Sequence, residues 1–137
     1  MKKVLLPIDG SKRSLNTVEM VKKICSAQEH ELYIVKVIGA QLYLNSMDEI
    51  KHNAEKARPE LEEVAALLPG YTVHTQVLLG SSPGVEIVEF AREIGADMIV
   101  MTRSSRGPLR KLGSVAAHIV KSADCLDVVV LREQGVE

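Results

Sequence analysis

Residues 4–11 read VLLPIDGS, a short apolar run that ends at Pro7 and continues into Asp9, Gly10 and Ser11. A run without polar alternation is typical of a strand that is buried on both faces, as the central strands of parallel sheets are. Gly10 permits a tight turn, and serine is a residue type that caps the first turn of a helix. The segment therefore predicts a buried central strand followed at once by a turn and a helix.

Four further apolar runs lie at residues 32–35, 77–79, 98–101 and 128–131, and stretches with helical spacing separate them. The predicted apolar helix faces are Leu15, Val18, Val21 and Cys25; Ala54, Ala57, Leu61, Val64 and Leu68; Ile87, Val88, Ala91 and Ile94; and Val115, Ala116, Ile119, Val120 and Ala123. Alternation of short strands with amphipathic helices is typical of βαβ units around a parallel sheet. We predict one α/β domain over residues 1–137, a doubly wound five-stranded parallel sheet in the order 3-2-1-4-5 with two helices on each face.

Local signals refine the third strand and the third helix. Tyr71 and Val73 alternate with polar residues, which predicts that the third strand lies at an edge of the sheet. Ser82 is expected to cap the third helix and Pro83 to occupy its first turn. Gly95 is expected to end that helix.

Composition excludes several classes of function. The chain has 137 residues, 46% of them hydrophobic, and a formal net charge of −1, so it is neither a disordered chain nor a strongly basic nucleic-acid binder. Three tyrosines, one phenylalanine and no tryptophan leave no stacking platform for single-stranded nucleic acid. No run approaches the roughly 20 apolar residues that cross a bilayer. We therefore expect a cytoplasmic protein with no membrane and no nucleic-acid partner, in which Cys25 and Cys125 are small buried hydrophobes.

The predicted topology places a ligand crevice beyond the carboxyl ends of strands one and four, where the strand order reverses. Two loops meet there, at residues 7–11 and 102–112. In the first loop, the Asp9 carboxylate could accept hydrogen bonds from ribose hydroxyls or hold a metal ion. The alternative is that Asp9 only turns or caps the chain.

The second loop is basic. Residues 102–114 read TRSSRGPLRKLGS, which contains four cations and no acid. Gly113 and Ser114 would present free backbone amides at the start of a helix, which is a ready anion site. Arg103 and Arg106 could add charge-assisted hydrogen bonds to phosphate oxygens. The alternative is a solvated basic loop without a ligand.

Several segments together carry a resemblance to a known family. They are residues 4–11, Gly80-Ser81-Ser82-Pro83, residues 95–101, Gly113-Ser114-Val115-Ala116 and Ala123-Asp124-Cys125. In their order and spacing the chain resembles a universal stress protein over nearly its whole length. The resemblance implies a small stress-response protein with the adenine nucleotide alpha hydrolase-like form of this fold, and it implies an adenine nucleotide, ATP or AMP, as cofactor, with Mg²⁺ if the ligand is a triphosphate.

The nucleotide motif of the ATP-binding branch is only partly present. That branch has Gly-x-x-Gly, nine further residues, and then Gly-Ser or Gly-Thr. Here Gly113 and Ser114 match the last part, whereas Arg103 stands at the place of the second glycine and the loop is about two residues shorter. The resemblance, together with the two crevice loops, implies these cofactor-binding residues: Pro7, Ile8, Asp9, Val37, Met101, Arg103, Arg106, Gly113, Ser114 and Val115.

The sequence leaves hypotheses of different classes. One is a binding module for an adenine nucleotide; the alternative is a universal stress protein that binds none and acts as a dimeric interaction or regulatory module through the loop around Tyr43. A third is an enzyme limited to slow ATP hydrolysis through Asp9 and Mg²⁺. No catalytic residue and no protein-held metal site are assigned, and His118 is expected to be a partly exposed helix residue.

The fifth strand carries the prediction of a homodimer. Residues 127–132 read DVVVLR, an apolar run at a sheet edge with no proline to prevent pairing. Universal stress proteins commonly pair through this strand, so the resemblance implies the same interface. The alternative is that the C-terminal residues cover the edge and keep the protein monomeric.

Overall fold

The computed structural model describes residues 1–39, 46–103, 114–123 and 126–133. The elements are β1 (Lys2–Pro7), α1 (Arg13–Ile24), β2 (His30–Gly39), α2 (Met47–Ala66), β3 (Thr72–Gly80), α3 (Pro83–Ile94), β4 (Met98–Arg103), α4 (Ser114–Ser122) and β5 (Asp127–Arg132). All strand pairs are parallel, and the sheet order is β3-β2-β1-β4-β5. The predicted fold is confirmed, and β3 lies at an edge as expected.

The core lies on both faces of the sheet, because the central strand is buried on both. Val4, Leu5 and Leu6 of β1 are each 0% exposed. Leu5 belongs to the cluster that α3 and α4 cover, whereas Val4 and Leu6 belong to the cluster that α1 and α2 cover. The prediction of two helices on each face is therefore correct.

Two residues of the predicted apolar helix faces are exposed. Leu15 of α1 is 48% exposed and Val120 of α4 is 50% exposed. In α1 the buried residues are Thr17, Val18 and Val21, and Leu15 falls at the margin of the arc that these three define. Apolar spacing thus predicted the direction of each helix face but overestimated its width.

The signals at two helix starts differ from the prediction. Ser82 makes no side-chain capping bond, although Pro83 occupies the first turn of α3 and Gly95 ends it with a φ of +68°. The observed cap is Ser46 of α2, whose hydroxyl accepts a hydrogen bond from the Glu49 N–H at 3.1 Å. Serine followed three residues later by glutamate is a recognised start signal, and the sequence reading did not use it.

Cys25 is buried, as expected, and Cys125 lies outside the described residues. Across the described part of the chain, the structure has no helix with the length and apolar character needed to cross a membrane.

Close packing of α3 on α4 gives a test of the fold. Gly84 is buried, and a Cβ added there would lie 2.9 Å from the Cβ of the partly exposed His118. Alanine in a helix interior is normally favoured over glycine by about 1 kcal/mol. We expect overpacking to reverse that sign, so Gly84→Ala should lower the free energy of unfolding by about 1–2 kcal/mol in urea denaturation.

A matched control is Gly39→Ala. An added Cβ at Gly39 meets no atom of the described residues within 4 Å, so this variant should unfold close to the wild type. If Gly84→Ala is instead more stable than the wild type, the two helices are not packed as described.

Candidate functional site

A cavity of about 380 Å³ opens beyond the carboxyl ends of β1 and β4. This is the point where the strand order reverses, as the topology rule requires. Eight of the predicted site residues line it together: Pro7, Ile8, Asp9, Val37, Met101, Arg103, Ser114 and Val115. The other two, Arg106 and Gly113, lie outside the described residues, as does Tyr43.

The sequence analysis missed the part of the wall that α1 and Lys36 supply. Arg13, Ser14 and Thr17 line the cavity from the first turns of α1, directly after the Asp9 loop. Extending the loop prediction into the next helix would have found them. Lys36 precedes Val37 on β2, and neighbouring strand residues normally point to opposite faces. Both nevertheless line the cavity.

Three helices begin at this cavity. The lining includes Arg13 of α1, Pro83 of α3 and Ser114 of α4, and each is the first residue of its helix. The positive end of the helix dipole lies at each of these starts, although the first amides of α1 already donate to Ser11 and Lys12. The convergence of three such ends favours an anionic group in the cavity.

Asp9 both turns the chain and faces the cavity. One carboxylate oxygen, Oδ1, accepts hydrogen bonds from the Ser11 N–H at 3.0 Å and the Ser11 hydroxyl at 2.5 Å. The other, Oδ2, accepts from the Arg13 guanidinium. The turning role proposed as an alternative is therefore present, yet 53% of the Asp9 side chain remains exposed.

These contacts set the charge of Asp9. Burial acts to raise the pKa of the Asp9 carboxyl, but hydrogen bonds from Ser11 and Arg13 outweigh it and hold the pKa below its ordinary value. Asp9 is therefore ionised at neutral pH.

The predicted cap of α1 differs from the observed one by one residue. Lys12, not Ser11, is the N-cap, and its side chain makes no capping hydrogen bond. The Ser11 hydroxyl instead accepts a hydrogen bond from the Arg13 N–H at 3.2 Å.

The three cations of the described lining differ in their partners. Arg13 contacts Asp9 and, at 3.5 Å, the Glu133 carboxylate. Lys36 is paired with Glu60. Arg103 has a buried Nη1 without a hydrogen-bond partner, and no other buried side-chain nitrogen or oxygen of the described residues is unpaired. A buried donor left unpaired costs about 1–3 kcal/mol, so Arg103 is the lining residue that a ligand would satisfy most directly.

The described residues do not form a metal centre. No group of three or more His, Cys, Asp or Glu side chains among them is placed to hold a metal ion. The Asp9 oxygens already accept from Ser11 and Arg13, and the guanidinium would repel a divalent cation. The described residues of this site therefore do not suit a protein-held Mg²⁺ ion.

Comparisons with known proteins agree with one another. The model of the universal stress protein family matches residues 1–132. A universal stress protein of Methanocaldococcus jannaschii is 31% identical, over 96% of this chain and 82% of that protein.

Two solved structures are similar to this chain in fold. One is a universal stress protein in complex with cAMP, with a TM-score of 0.74 and 24% identity over 95% of this chain and 96% of that one. The other is the universal stress protein from Archaeoglobus fulgidus in complex with dAMP, with a TM-score of 0.69 and 19% identity over 95% and 97% of the two chains.

The lowered pKa of Asp9 predicts a pH-dependent contribution to stability. A carboxyl whose pKa is lower in the folded state stabilises the fold above its ordinary pKa, and this contribution is lost as the pH falls through the folded-state value. Asp9→Asn should therefore unfold at lower urea than the wild type at pH 7. The difference should shrink as the pH approaches 3, and a difference that is constant from pH 7 to pH 3 would contradict the assignment.

Proposed function

Because the chain belongs to the universal stress protein family, we propose that it binds an adenine nucleotide in the cavity between β1 and β4 and acts as a nucleotide-responsive stress protein. The observation that carries the proposal is Arg103, a lining residue whose buried Nη1 has no hydrogen-bond partner among the described residues, in a cavity where three helices begin. Both features favour an anion, and a phosphate oxygen supplies the acceptor that the guanidinium lacks.

The rest of the cavity suits the nucleoside part of such a ligand. Pro7, Ile8, Val37 and Met101 belong to the apolar part of the wall, against which a base can pack. Asp9 is the one carboxylate among the described lining residues, and it is ionised and half-exposed. Carboxylate oxygens are suitable acceptors for the two ribose hydroxyls. Base, ribose and phosphate therefore each have a complementary region of wall.

Relatives support an adenine nucleotide as the ligand class. The two similar solved structures were obtained with cAMP and with dAMP, each of which carries an adenine base and one phosphate. We therefore take AMP as the test ligand. The proposal extends to ATP, and in that case Mg²⁺ would enter the cavity already bound to the triphosphate.

A second proposal concerns the assembly. Among the described residues, β5 pairs only with β4, and it forms an edge of the sheet. Val128, Val129, Val130 and Leu131 of this strand are only partly buried. Unpaired backbone groups beside partly exposed apolar side chains suit pairing with the same strand of a second copy. We propose a homodimer through β5, which would also serve the alternative function of a dimeric interaction module.

The binding proposal predicts different results for two variants. Arg103→Ala should weaken AMP by about tenfold, change adenosine little and flatten the salt dependence, because a charge-assisted bond to phosphate is worth about 1.5–3 kcal/mol. Asp9→Ala should weaken AMP and adenosine alike, because both carry the ribose. Isothermal titration calorimetry measures all four affinities.

The control is Arg92→Ala, which removes an exposed arginine of α3 that donates to the Ser122 carbonyl away from the cavity. It should leave both ligands unchanged. If purified protein binds neither AMP nor ATP and carries no adenine compound, the nucleotide proposal is wrong and the dimeric interaction module is the better account.

The homodimer is tested by a pair of proline variants, Val129→Pro and Val130→Pro. Adjacent residues of a strand direct their N–H groups to opposite sides, so one variant loses a donor to β4 and the other loses a donor at the free edge. The edge variant should stay folded but become monomeric in light scattering. A wild type that is monomeric at micromolar concentration, or two folded variants that are both dimeric, would contradict the interface.

A further inference from the structure

Arg13 has an unusual position for a cation. It is the first residue of α1, and the first turn of that helix contains no acidic residue. The N-terminal end of a helix repels a positive charge. Arg13 is nevertheless held at the cavity wall with its side chain only 19% exposed, by Asp9 on one side and Glu133 on the other.

The contact with Asp9 competes with the proposed ligand. A carboxylate offers about four acceptor positions. Ser11 takes two of those on Asp9, both on Oδ1, and Arg13 takes one on Oδ2. A ribose with two hydroxyls therefore needs Arg13 to leave Asp9 before both hydroxyls can be accepted.

We propose that Arg13 makes the cavity selective for phosphorylated nucleosides, because it exchanges the Asp9 carboxylate for the phosphate of the incoming ligand. This inference rests on the proposed function and extends it to a residue outside the nucleotide motif. A bare nucleoside breaks the Arg13–Asp9 pair, supplies no replacement anion, and leaves the guanidinium with only its 3.5 Å contact to Glu133. A nucleotide supplies ribose hydroxyls to Asp9 and a phosphate to Arg13, so every charged group keeps a partner.

The other lining cations lack this arrangement. Glu60, the partner of Lys36, is not part of the cavity wall, so a ligand need not displace it. The Nη1 of Arg103 has no hydrogen bond to a described residue that it could exchange. Among the cations of the described lining, Arg13 is thus the one whose carboxylate partner is itself a candidate ligand contact.

The exchange predicts opposite changes for two ligands. Arg13→Met keeps the length of the side chain but removes the charge. It should weaken AMP by about tenfold, through the loss of a charge-assisted phosphate bond, and should tighten adenosine by about threefold, because Asp9 is then free. The matched control is Lys12→Met, which removes the exposed neighbouring cation outside the cavity wall and should leave the ratio of the two affinities unchanged.

A second measurement uses the wild type alone, so it does not depend on how a variant folds. Inorganic phosphate should draw Arg13 from Asp9 and thereby tighten adenosine about threefold, compared with chloride at equal ionic strength. Adenosine affinity that phosphate does not raise would overturn the exchange.

The outcomes separate this inference from the proposal beneath it. AMP binding that Arg13→Met weakens, together with adenosine binding that it tightens, supports both. If both proteins bind AMP and the ratio of the AMP affinity to the adenosine affinity is the same in Arg13→Met and wild type, the exchange is wrong but the nucleotide proposal stands. Failure of wild type and Arg13→Met to bind either ligand overturns the nucleotide proposal, and the exchange with it.

Discussion

Burial of the central strand on both faces is the constraint on which the rest of the structure depends. Val4, Leu5 and Leu6 alternate between two cores and none of them contacts water. A strand of this kind requires helices on both faces, and right-handed crossovers then direct the chain outward in both directions from it. The reversal of strand order beside β1 leaves a gap beyond its carboxyl end. The cavity is therefore a consequence of how the core is closed.

The same topology makes the cavity electropositive. Three helices start at its wall, and Arg13, Lys36 and Arg103 add side-chain charge. Two of these cations have a carboxylate partner, whereas Arg103 has a buried donor without one. Among the described lining residues, three cations accompany one carboxylate, Asp9, and this excess of positive charge favours a small anion attached to a larger apolar and hydroxyl-bearing body. An adenine nucleotide has this combination.

Much of the fold and part of the site could be predicted from local patterns. Continuous apolar runs identified every strand, and a three-to-four-residue spacing identified the buried face of each helix, although Leu15 and Val120 proved exposed. The topology rule then brought Asp9 and Arg103 to one place, 94 positions apart in the chain. Ser82 shows the limit of such signals, because a serine before a proline has the composition of a cap without making its hydrogen bond.

The sequence by itself determined the order of elements, the two-sided core and the position of the crevice, because side-chain periodicity indicates which face of each element is buried. Only the tertiary structure decided which charges meet. Glu133 follows the last strand and reaches Arg13 at the start of the first helix, and Glu60 of α2 pairs with Lys36 of β2. Such pairs have no periodic signal, since an ion pair depends on a few ångströms of through-space distance and the local dielectric. The electrostatic character of the cavity is therefore a property of the folded chain.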